Sequence, residues 1–387
     1  MIVVNIILNI VFFYFAFYSL YYLIFSLAGN FNKKRKIPAI QPTPGNFAVF
    51  IPCYKEDAVV LSTVHKSLSH NYPADKFRIV VLADSLQQKT LDELGNLPVT
   101  VVLINNPQRS KGKAINTALN ELKEDFDYIM ILDADNNMED DCLYKMNEVL
   151  QSGILAVQGH RTAKNKNNSV AFLDSISEEI NNHIFRQGPR VIGLSSALIG
   201  SGMAFKYSYF KEIMHGVEDI WEDKALEFRI LRDRHIIEYL PDAYVYDEKV
   251  SDIKVFQKQR SKWLGGQMAY LKMNTLSDLK AIFSGNIDLL SKVIQTFALP
   301  RSIMLVLVFG FFALGLIYKG SATSDYWFLL VIAFVFSLLI AVPKEMFNKK
   351  LLKALFVLPV LIAQMFRSLF KSLVSKDVNF NTPHVHK

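Results

Sequence analysis

Cysteine is scarce in this chain of 387 residues, which contains only Cys53 and Cys142. Two cysteines so far apart provide neither a disulfide framework nor the paired spacing of a zinc site, and we expect both to be small buried side chains in a reducing compartment. No segment resembles a nucleic-acid-binding module. We therefore attribute the net charge of +7 to contact with an anionic cytoplasmic leaflet and expect no nucleic-acid partner.

Charged residues are absent from the first apolar stretch, Ile2–Leu27. Its length of about 26 residues is enough to cross a bilayer core. The basic run Lys33–Lys36 follows this stretch, whereas a cleaved signal peptide carries its positive charge before the apolar run. The pattern predicts a transmembrane anchor over residues 1–30, with the rest of the chain on the cytoplasmic side. Residues 31–46, which are rich in proline and polar residues, are predicted to be a linker.

Two further apolar runs lie near the other end of the chain, Ser302–Tyr318 and Tyr326–Val342. Basic residues follow the second run, which predicts that this side faces the cytoplasm. We expect transmembrane helices over 301–319 and 325–343 that form an out-and-back hairpin. The prediction is therefore a multi-pass protein of the inner cell membrane, with the lipid bilayer as a partner.

A last apolar run, Leu351–Phe366, is about 16 residues long and therefore short for a span. Lys353 lies near its start, and a crossing here would place the basic tail outside, against the usual charge bias. We predict that residues 350–387 form an interfacial or re-entrant segment and a cytoplasmic tail.

Between the apolar segments, strands and helices alternate. The patterns predict strands at Phe47–Glu56, Arg78–Asp84, Val99–Ile104 and Tyr128–Asp133, and helices at Ala58–His70 and Ser110–Leu119. This alternation is typical of an α/β domain, in which helices cover both faces of a Rossmann-like, mostly parallel sheet. The predicted domain covers 47–250, and interfacial helices are predicted over 251–300.

The fourth predicted strand runs directly into Asp133-Ala-Asp135. Residues two apart in a strand point the same way, so both carboxylates could converge on one cation. Ligands of open α/β sheets bind beyond the carboxyl ends of the strands, which makes this a favourable position. A simple Asp-rich turn would give the same pattern.

Two later motifs also combine several polar residues. Trp221-Glu-Asp223 opens a predicted helix, although acids in a first turn could merely cap it. Gln259-Arg-Ser-Lys-Trp263 lies in a predicted helix that places Gln259, Lys262 and Trp263 on one face. A basic and aromatic segment of this kind could equally be an interfacial anchor.

Taken in order, Asp84, Asp133-Ala-Asp135, Trp221-Glu-Asp223 and Gln259–Trp263 resemble the motifs of family 2 glycosyltransferases. The resemblance is greatest to the membrane-embedded branch that contains cellulose, chitin and hyaluronan synthases, and it covers about Phe47–Gly266. It implies a GT-A fold with N- and C-terminal transmembrane helices. It also implies transfer of a sugar from a nucleotide-sugar donor, preferably a UDP-sugar, to a growing β-linked polysaccharide or glycan at the cytoplasmic membrane face, with inversion at the anomeric carbon.

The resemblance assigns a role to individual residues. Asp223 would be the general base. Asp135, with Asp133, would bind Mg²⁺ or Mn²⁺. The residues expected to bind the donor are Pro52, Tyr54, Glu56, Asp84, Lys113, Asp133, Gln259 and Arg260. The residues expected on the acceptor side are Ser201, Gly202, Glu222 and Trp263.

The chain also departs from that branch. Lys262 stands where an arginine is usual and lacks the arginine's bidentate geometry. The gating motif of cellulose synthase is not evident, although Phe380-Asn-Thr-Pro-His384 could play a similar part. The membrane portion is small, so a short polymer, a homo-oligomer or a single transfer to a lipid or lipid-linked acceptor all fit.

Two other classes of protein share some of these features. A membrane scaffold that binds nucleotides without catalysis would keep the binding residues but release no diphosphate. A sugar-phosphate nucleotidyltransferase could use paired aspartates, but it would need neither Trp221–Asp223 nor the membrane segments.

Overall fold

The computed structural model describes residues 2–31, 43–105, 110–218, 221–273, 276–317 and 322–374. The basic run Lys33–Lys36 and most of the predicted linker 31–46 lie outside the described residues. So does the C-terminal segment Phe380-Asn-Thr-Pro-His384.

The described part of the chain contains a sheet of eight strands. These are β1 (Phe47–Tyr54), β2 (Phe77–Asp84), β3 (Thr100–Leu103), β4 (Tyr128–Ile131), β5 (Asn137–Met138), β6 (Ala156–Ala163), β7 (Met203–Lys206) and β8 (Ile237–Asp247). Their order is β3-β2-β1-β4-β7-β6-β8-β5. The first four strands are parallel, as the alternation of strands and helices predicts. The second half is mixed, because β7 runs antiparallel to both of its neighbours.

The helices are bounded as follows. They are α1 (Ile2–Ala28), α2 (Val60–Leu68), α3 (Gln88–Gly95), α4 (Lys111–Glu121), α5 (Cys142–Gln151), α6 (Ser169–Asn181), α7 (Gly188–Val191), α8 (Tyr207–Met214), α9 (Glu222–Arg232), α10 (Ile253–Met273), α11 (Leu276–Phe283), α12 (Ile287–Phe297), α13 (Arg301–Ile317), α14 (Ala322–Ile340), α15 (Lys349–Leu355) and α16 (Leu358–Val374). A π-helical stretch, Asn182–Gln187, joins α6 to α7.

The core of the α/β domain lies on both faces of the sheet. Val49 and Ile51 of β1 pack with residues of α2 and α5, whereas Ala48 and Phe50 pack with residues of α4, α8 and α9. All four side chains are fully buried. Helices therefore cover both faces, which is why β1 is apolar at consecutive positions instead of alternating. Cys53 and Cys142 are buried in the same core, as the sequence predicts.

A separate apolar cluster joins α1 to α13, α14 and α6. Among the described residues, α1 alone is long and apolar enough to cross a membrane as a single helix. If each bent pair of helices is counted as one span, the number of candidate spans rises to three. Helices α12 and α13 meet at a bend of 66°, and α15 and α16 meet at a bend of 52°. Helix α14 is apolar but shorter. The apolar runs are thus helical, while the crossing of α13 and α14 stays a prediction.

Helix α1 is fixed closely to the α/β domain. A Cβ atom at Gly188 would lie 2.3 Å from the carbonyl oxygen of Phe25, so only glycine permits this approach. The ring of His183 hydrogen-bonds the Ser26 carbonyl at 2.8 Å, and the Ser26 hydroxyl donates to the Ser337 carbonyl at 2.6 Å. The N-terminal helix is therefore part of the packed structure and not a loose tether.

Candidate active site

The candidate site lies where β1, β2 and β4 end at one edge of the sheet. Tyr54 and Asp84 are in register at the ends of β1 and β2. A cavity of about 1430 Å³ opens at this edge. The sequence-predicted residues that line it are Pro52, Tyr54, Glu56, Asp84, Asp133, Asp135, Glu222, Asp223, Gln259, Arg260 and Trp263. The structure thus brings together motifs that are separated by up to about two hundred residues in the chain.

The ends of β1 and β2 form one side of the site. Lys55 and Ser85, which follow these strands, both adopt the left-handed conformation, with φ of 55° and 56°. The Lys55 N–H donates to the Asp84 carbonyl at 3.1 Å, and the Ser85 hydroxyl donates to the Asp84 carboxylate at 2.8 Å. Asp84 is held in place by its neighbours and presents its carboxylate to the cavity, where it can accept hydrogen bonds from the edge of a base.

The Asp133–Asp135 turn is supported from behind. The Ser201 hydroxyl accepts a hydrogen bond from the Asp133 N–H at 3.0 Å. The amide of Asn136, with its nitrogen turned towards the carboxylates, donates to Asp135 at 2.9 Å and to Asp247 at 3.0 Å, while its oxygen accepts from Ser201 at 2.6 Å. A network of this kind fixes the direction in which Asp135 points.

The two aspartates suit a hard divalent cation, because carboxylate oxygens are the ligands preferred by Mg²⁺ and Mn²⁺. The described residues include no group of three or more acidic, histidine or cysteine side chains that could hold a metal. One or two carboxylates together with substrate phosphates are the usual Mg²⁺ site in phosphate-handling enzymes. Asp133 and Asp135 therefore fit a cation that arrives with a diphosphate.

Lys111, which was not predicted from the sequence to be a site residue, lies between Asp133 and Glu222. Its ammonium group donates to Asp133 at 2.7 Å and to the Gly200 carbonyl at 2.7 Å, and it pairs with Glu222 at 2.9 Å. Lys113, the predicted donor ligand, is not among the residues that line the cavity. Residues two apart on a helix point about 200° apart, so only one of these lysines can face the site. Spacing alone could not decide which.

Glu222 is buried beside Lys111 at the start of α9. Burial raises the pKa of Glu222 to about 7, with the Lys111 cation opposing this effect and the nearby Asp223 charge adding to it. For Lys111, burial acts to lower the pKa, but Asp133 and Glu222 outweigh it and the pKa is raised. The site therefore contains one carboxyl group that titrates near neutral pH and a lysine that stays charged.

Asp223 occupies the first turn of α9 and lines the cavity. The turn at Gly200, which has a φ of +82°, passes close to it, and a Cβ atom there would lie 3.8 Å from the Asp223 carboxylate. The Lys224 ammonium lies 3.9 Å from the same carboxylate. At 3.8 Å such a Cβ would be in ordinary contact with Asp223, so the positive φ, and not crowding, is what favours glycine at this turn.

Helix α10 carries the Gln259–Trp263 motif along another wall of the cavity. A Cβ atom at Gly266 would lie 2.7 Å from the indole of Trp221, so α10 packs directly on the residue that precedes α9. Arg260 donates to the buried Asp174, and its guanidinium lies 4.2 Å from the centre of the Trp263 ring. Arg260 is expected from the sequence to bind the donor, and in the structure its guanidinium is paired with Asp174.

Ser201 and Gly202, which the resemblance assigns to the acceptor side, are not among the residues that line the cavity. Ser201 is fully buried. Gly202 has a φ of +65°, and a Cβ atom there would lie 2.8 Å from Val245. Ser201 supports the Asp133 turn from behind through its hydroxyl, and the Gly202 N–H donates to the Ile131 carbonyl of β4 at 2.9 Å. In this segment the residues that line the cavity precede Ser201: Ala197, Leu198, Ile199 and Gly200.

A cluster of buried charged side chains, which the sequence did not predict, forms another wall of the cavity. Glu178 accepts from Arg161 at 2.9 Å and lies 3.4 Å from Lys249, which pairs with Asp247 at 2.6 Å. Burial acts to raise the pKa of Glu178, but the cations, Arg161 foremost, hold it well below its usual value. The sequence alone could not reveal this cluster, because Arg161 is brought to Glu178 by β6 and Lys249 follows β8. Through Asn136, Asp247 connects this wall to Asp135.

A family model matches the part of the chain that contains the motifs of the site. Residues 44–266 match the family described as "Glycosyltransferase like family 2". This range includes the ends of β1, β2 and β4, the start of α9 and the Gln259–Trp263 motif.

The individual proteins that match this chain have low sequence identity to it. The chain is 26% identical over 242 residues to "Probable glycosyltransferase YdaM" of Bacillus subtilis, covering 58% of this chain and 56% of that protein. It is 24% identical over 244 residues to "Poly-beta-1,6-N-acetyl-D-glucosamine synthase" of Staphylococcus epidermidis, covering 61% of this chain and 58% of that protein. The match therefore spans less than two thirds of the length of these relatives.

One solved structure is similar over nearly the whole chain. It is the "Mannosyltransferase PcManGT from Pyrobaculum calidifontis in complex with GDP-Man and Mn2+". The TM-score is 0.58 at 16% identity, and the match covers 96% of this chain and 98% of that one. At this identity the likeness concerns the fold alone.

Proposed function

The chain belongs to the family 2 glycosyltransferases and has the GT-A fold, and from this premise we propose that it moves a sugar from a nucleotide-sugar to an acceptor hydroxyl, with inversion. The observation that carries the proposal is that Asp84, Asp135 and Asp223 line one cavity. A nucleoside, a diphosphate and a reacting hydroxyl need these three sites next to one another.

The donor would lie across the ends of the strands. Asp84 would accept hydrogen bonds from the base, next to Pro52, Tyr54 and Glu56, which line the same end of the cavity. We propose a UDP-sugar as the donor. A guanosine donor remains an outcome of the test, because the solved structure with a similar fold contains GDP-Man.

The diphosphate would lie near Asp133 and Asp135. Bound there, Mg²⁺ or Mn²⁺ would offset the negative charge that develops on the leaving diphosphate. Asp135 would hold the cation in a direction fixed by Asn136, and Lys111 would contribute a second positive charge beside Asp133. Gln259, which lines the cavity from α10, would also contact the donor.

Asp223 would act as the general base. It would take the proton from the acceptor hydroxyl as that oxygen bonds to the anomeric carbon, while the bond from that carbon to the diphosphate breaks. Because no residue forms a covalent bond to the sugar, a single displacement inverts the configuration. Glu222 and Trp263 would contact the acceptor, since Trp263 lines the cavity and is 39% exposed.

The site is proposed to face the cytoplasmic side of a membrane. Helix α1 meets the length and composition of a span, and we propose that α13 and α14 cross as a hairpin. The domain boundaries remain those expected from the sequence, with a catalytic domain over 47–250 and the helices of 251–300 lying against the membrane. The acceptor would then be a glycan or a lipid-linked glycan at that surface.

The first experiment is a screen for nucleoside diphosphate release by the purified full chain. UDP- and GDP-sugars would be supplied with Mg²⁺ or Mn²⁺, with and without membrane extract as the source of acceptor. Release that depends on both metal and acceptor is expected for one donor. Donor binding without any release would favour a non-catalytic scaffold.

The role of Asp223 is tested by Asp223→Asn. We expect transfer to fall by roughly 10²- to 10⁴-fold, because the acceptor proton then has no base to accept it. Donor affinity, measured by isothermal titration, should be unchanged. Asp125→Asn serves as a control, since the Asp125 side chain is 92% exposed. Retained turnover in Asp223→Asn would remove this residue as the base.

A further inference from the structure

The cavity continues well beyond the proposed donor site. Its volume of about 1430 Å³ exceeds the roughly 300–1000 Å³ typical of small-molecule sites. From the acidic residues it passes α10 and extends between α13, α14, α15 and α16. Apart from Arg301 and Ser302 at the start of α13, the side chains of these helices that line the cavity are apolar, and six of them are leucines: Leu305, Leu338, Leu351, Leu355, Leu358 and Leu361.

This aliphatic lining is a poor path for a polysaccharide. Sugar hydroxyl groups need hydrogen-bond partners when they leave water, and leucine provides none. A flat aromatic ring can contact the apolar face of a sugar, and the cavity has such a ring at Trp263, close to the catalytic residues. The far part therefore suits a hydrocarbon chain, whereas the near part suits a sugar.

A cationic side chain lines the same cavity. Arg301 begins α13, and its Nη2 donates to the Ser177 carbonyl and hydroxyl oxygens, both at 2.9 Å. Its Nη1 is buried and has no hydrogen-bond partner among the described residues. A buried guanidinium nitrogen without a partner is costly unless a ligand supplies an acceptor.

Arg260 adds a second positive charge to this wall. Its Nε is also buried without a partner in the described part of the chain, although its Nη2 donates to Asp174. Two guanidinium groups with unused N–H donors fit the oxygens of a phosphate, which accept several charge-assisted hydrogen bonds at once.

We infer that the acceptor is a membrane lipid with a phosphate head group that carries a sugar. This inference rests on the proposed function. The hydrocarbon chain lies along the leucines of α13–α16, Arg301 binds the phosphate, and the sugar stacks near Trp263. Its hydroxyl oxygen bonds to the donor's anomeric carbon, the nucleoside diphosphate leaves with the electron pair of the broken bond, and Asp223 receives the proton.

The test compares three acceptors that carry the same sugar. One has the sugar linked through a phosphate to a long alkyl chain, one has it linked directly to that chain, and one is the free oligosaccharide. With the purified full chain and the donor found by the screen, we expect KM to be at least 100-fold lower for the first acceptor than for the free oligosaccharide. Equal KM values would overturn the inference.

Two neighbouring leucines provide a matched pair of variants. Leu338 lines the cavity, whereas Leu339 on the same helix is half exposed and points elsewhere. Leu338→Trp fills the proposed chain site and should raise KM for both alkyl acceptors at least 10-fold. Leu339→Trp should leave it unchanged. The same response in both variants would overturn the proposed path.

Arg301→Gln tests the phosphate site separately. We expect KM to rise for the phosphate-linked acceptor but not for the direct alkyl glycoside, with partial recovery in Arg301→Lys. An equal rise for both acceptors, or none, would overturn the role of Arg301.

Donor binding is measured in every variant as a check on folding. If the unaltered chain itself fails to bind donor, the proposed function fails; if it binds and transfers without preferring the lipid, only this inference fails.

Discussion

Lys111 connects two acids that belong to different motifs, Asp133 of the metal turn and Glu222 at the start of α9. Its charge therefore acts on both the donor side and the base side of the site. Burial raises the pKa of Glu222 to about 7, and Lys111 opposes that rise. Lys111 therefore acts against burial and against the charges of Asp223 and Asp133, which all raise the pKa of Glu222.

Replacing Lys111 with methionine should change the pH dependence of transfer. Without the cation, the pKa of Glu222 rises further, so Glu222 reaches the ionised form that would contact the acceptor only at higher pH. The acidic limb of the kcat/KM profile should therefore move to higher pH. Activity at pH 7 should fall roughly 10-fold or more. The measurement is a pH profile with Lys123→Met as control, since Lys123 is exposed at the end of the same segment. A shift in Lys113→Met but not in Lys111→Met would contradict this assignment.

Asp135 is expected to be the principal protein ligand of the cation. In Asp135→Ala, metal-dependent donor binding should weaken by roughly 100-fold or more, because the ligand that Asn136 orients is lost. Titration of donor with and without Mn²⁺ measures this. Asp75→Ala, at an exposed position, is the control. Unchanged metal dependence would count against Asp135.

Among the elements, α10 has a double function. It lines the cavity with Gln259 and Trp263, and through Gly266 it packs on Trp221, the residue before α9. Helix α16 lies alongside, with the Ser368 hydroxyl donating to the Gln257 carbonyl at 3.1 Å. A displacement of α10 would therefore move α9 and the proposed base with it.

Gly266→Ala tests this coupling. The added methyl group would lie 2.7 Å from the Trp221 indole, so α10 and α9 must separate. Shifts of about 1 Å in catalytic groups can reduce rates by about 100-fold, and we expect a fall in kcat of roughly 10- to 100-fold. The control is Gly95→Ala, where a Cβ atom meets nothing within 4 Å; equal effects in both variants would exclude the packing explanation.

The elements also show what the sequence could and could not predict. Strands β1, β2 and β4 were predictable because they are apolar runs that end in polar turns, and the site residues at their ends followed from that. The antiparallel β7 was not predictable, since its direction depends on which strands it joins. The sequence likewise could not show that Ser201 would hydrogen-bond Asp133 and that Gly202 would hydrogen-bond Ile131 and Gly159, because these partners come from other strands and turns.

At the scale of the whole molecule, the proposed topology places the α/β domain in the cytoplasm. Both native cysteines are buried, so they should react slowly with a maleimide that cannot cross membranes. Asp125→Cys introduces an exposed thiol on the α/β domain. We expect labelling in inside-out vesicles and not in intact cells. Labelling of intact cells would reverse the orientation.

The contacts of α1 have a consequence for how the chain is made. Ser26 reaches Ser337, a partner 311 positions later, and Tyr18 reaches the carbonyl of Ile294, 276 positions later. During synthesis on the ribosome, the first helix to emerge has none of these partners until most of the chain has followed. A nascent chain that stopped before α14 would already contain all of the motifs up to Trp263. It would still lack α14, whose Leu338 lines the cavity, so the cavity is complete only after α14 has been made.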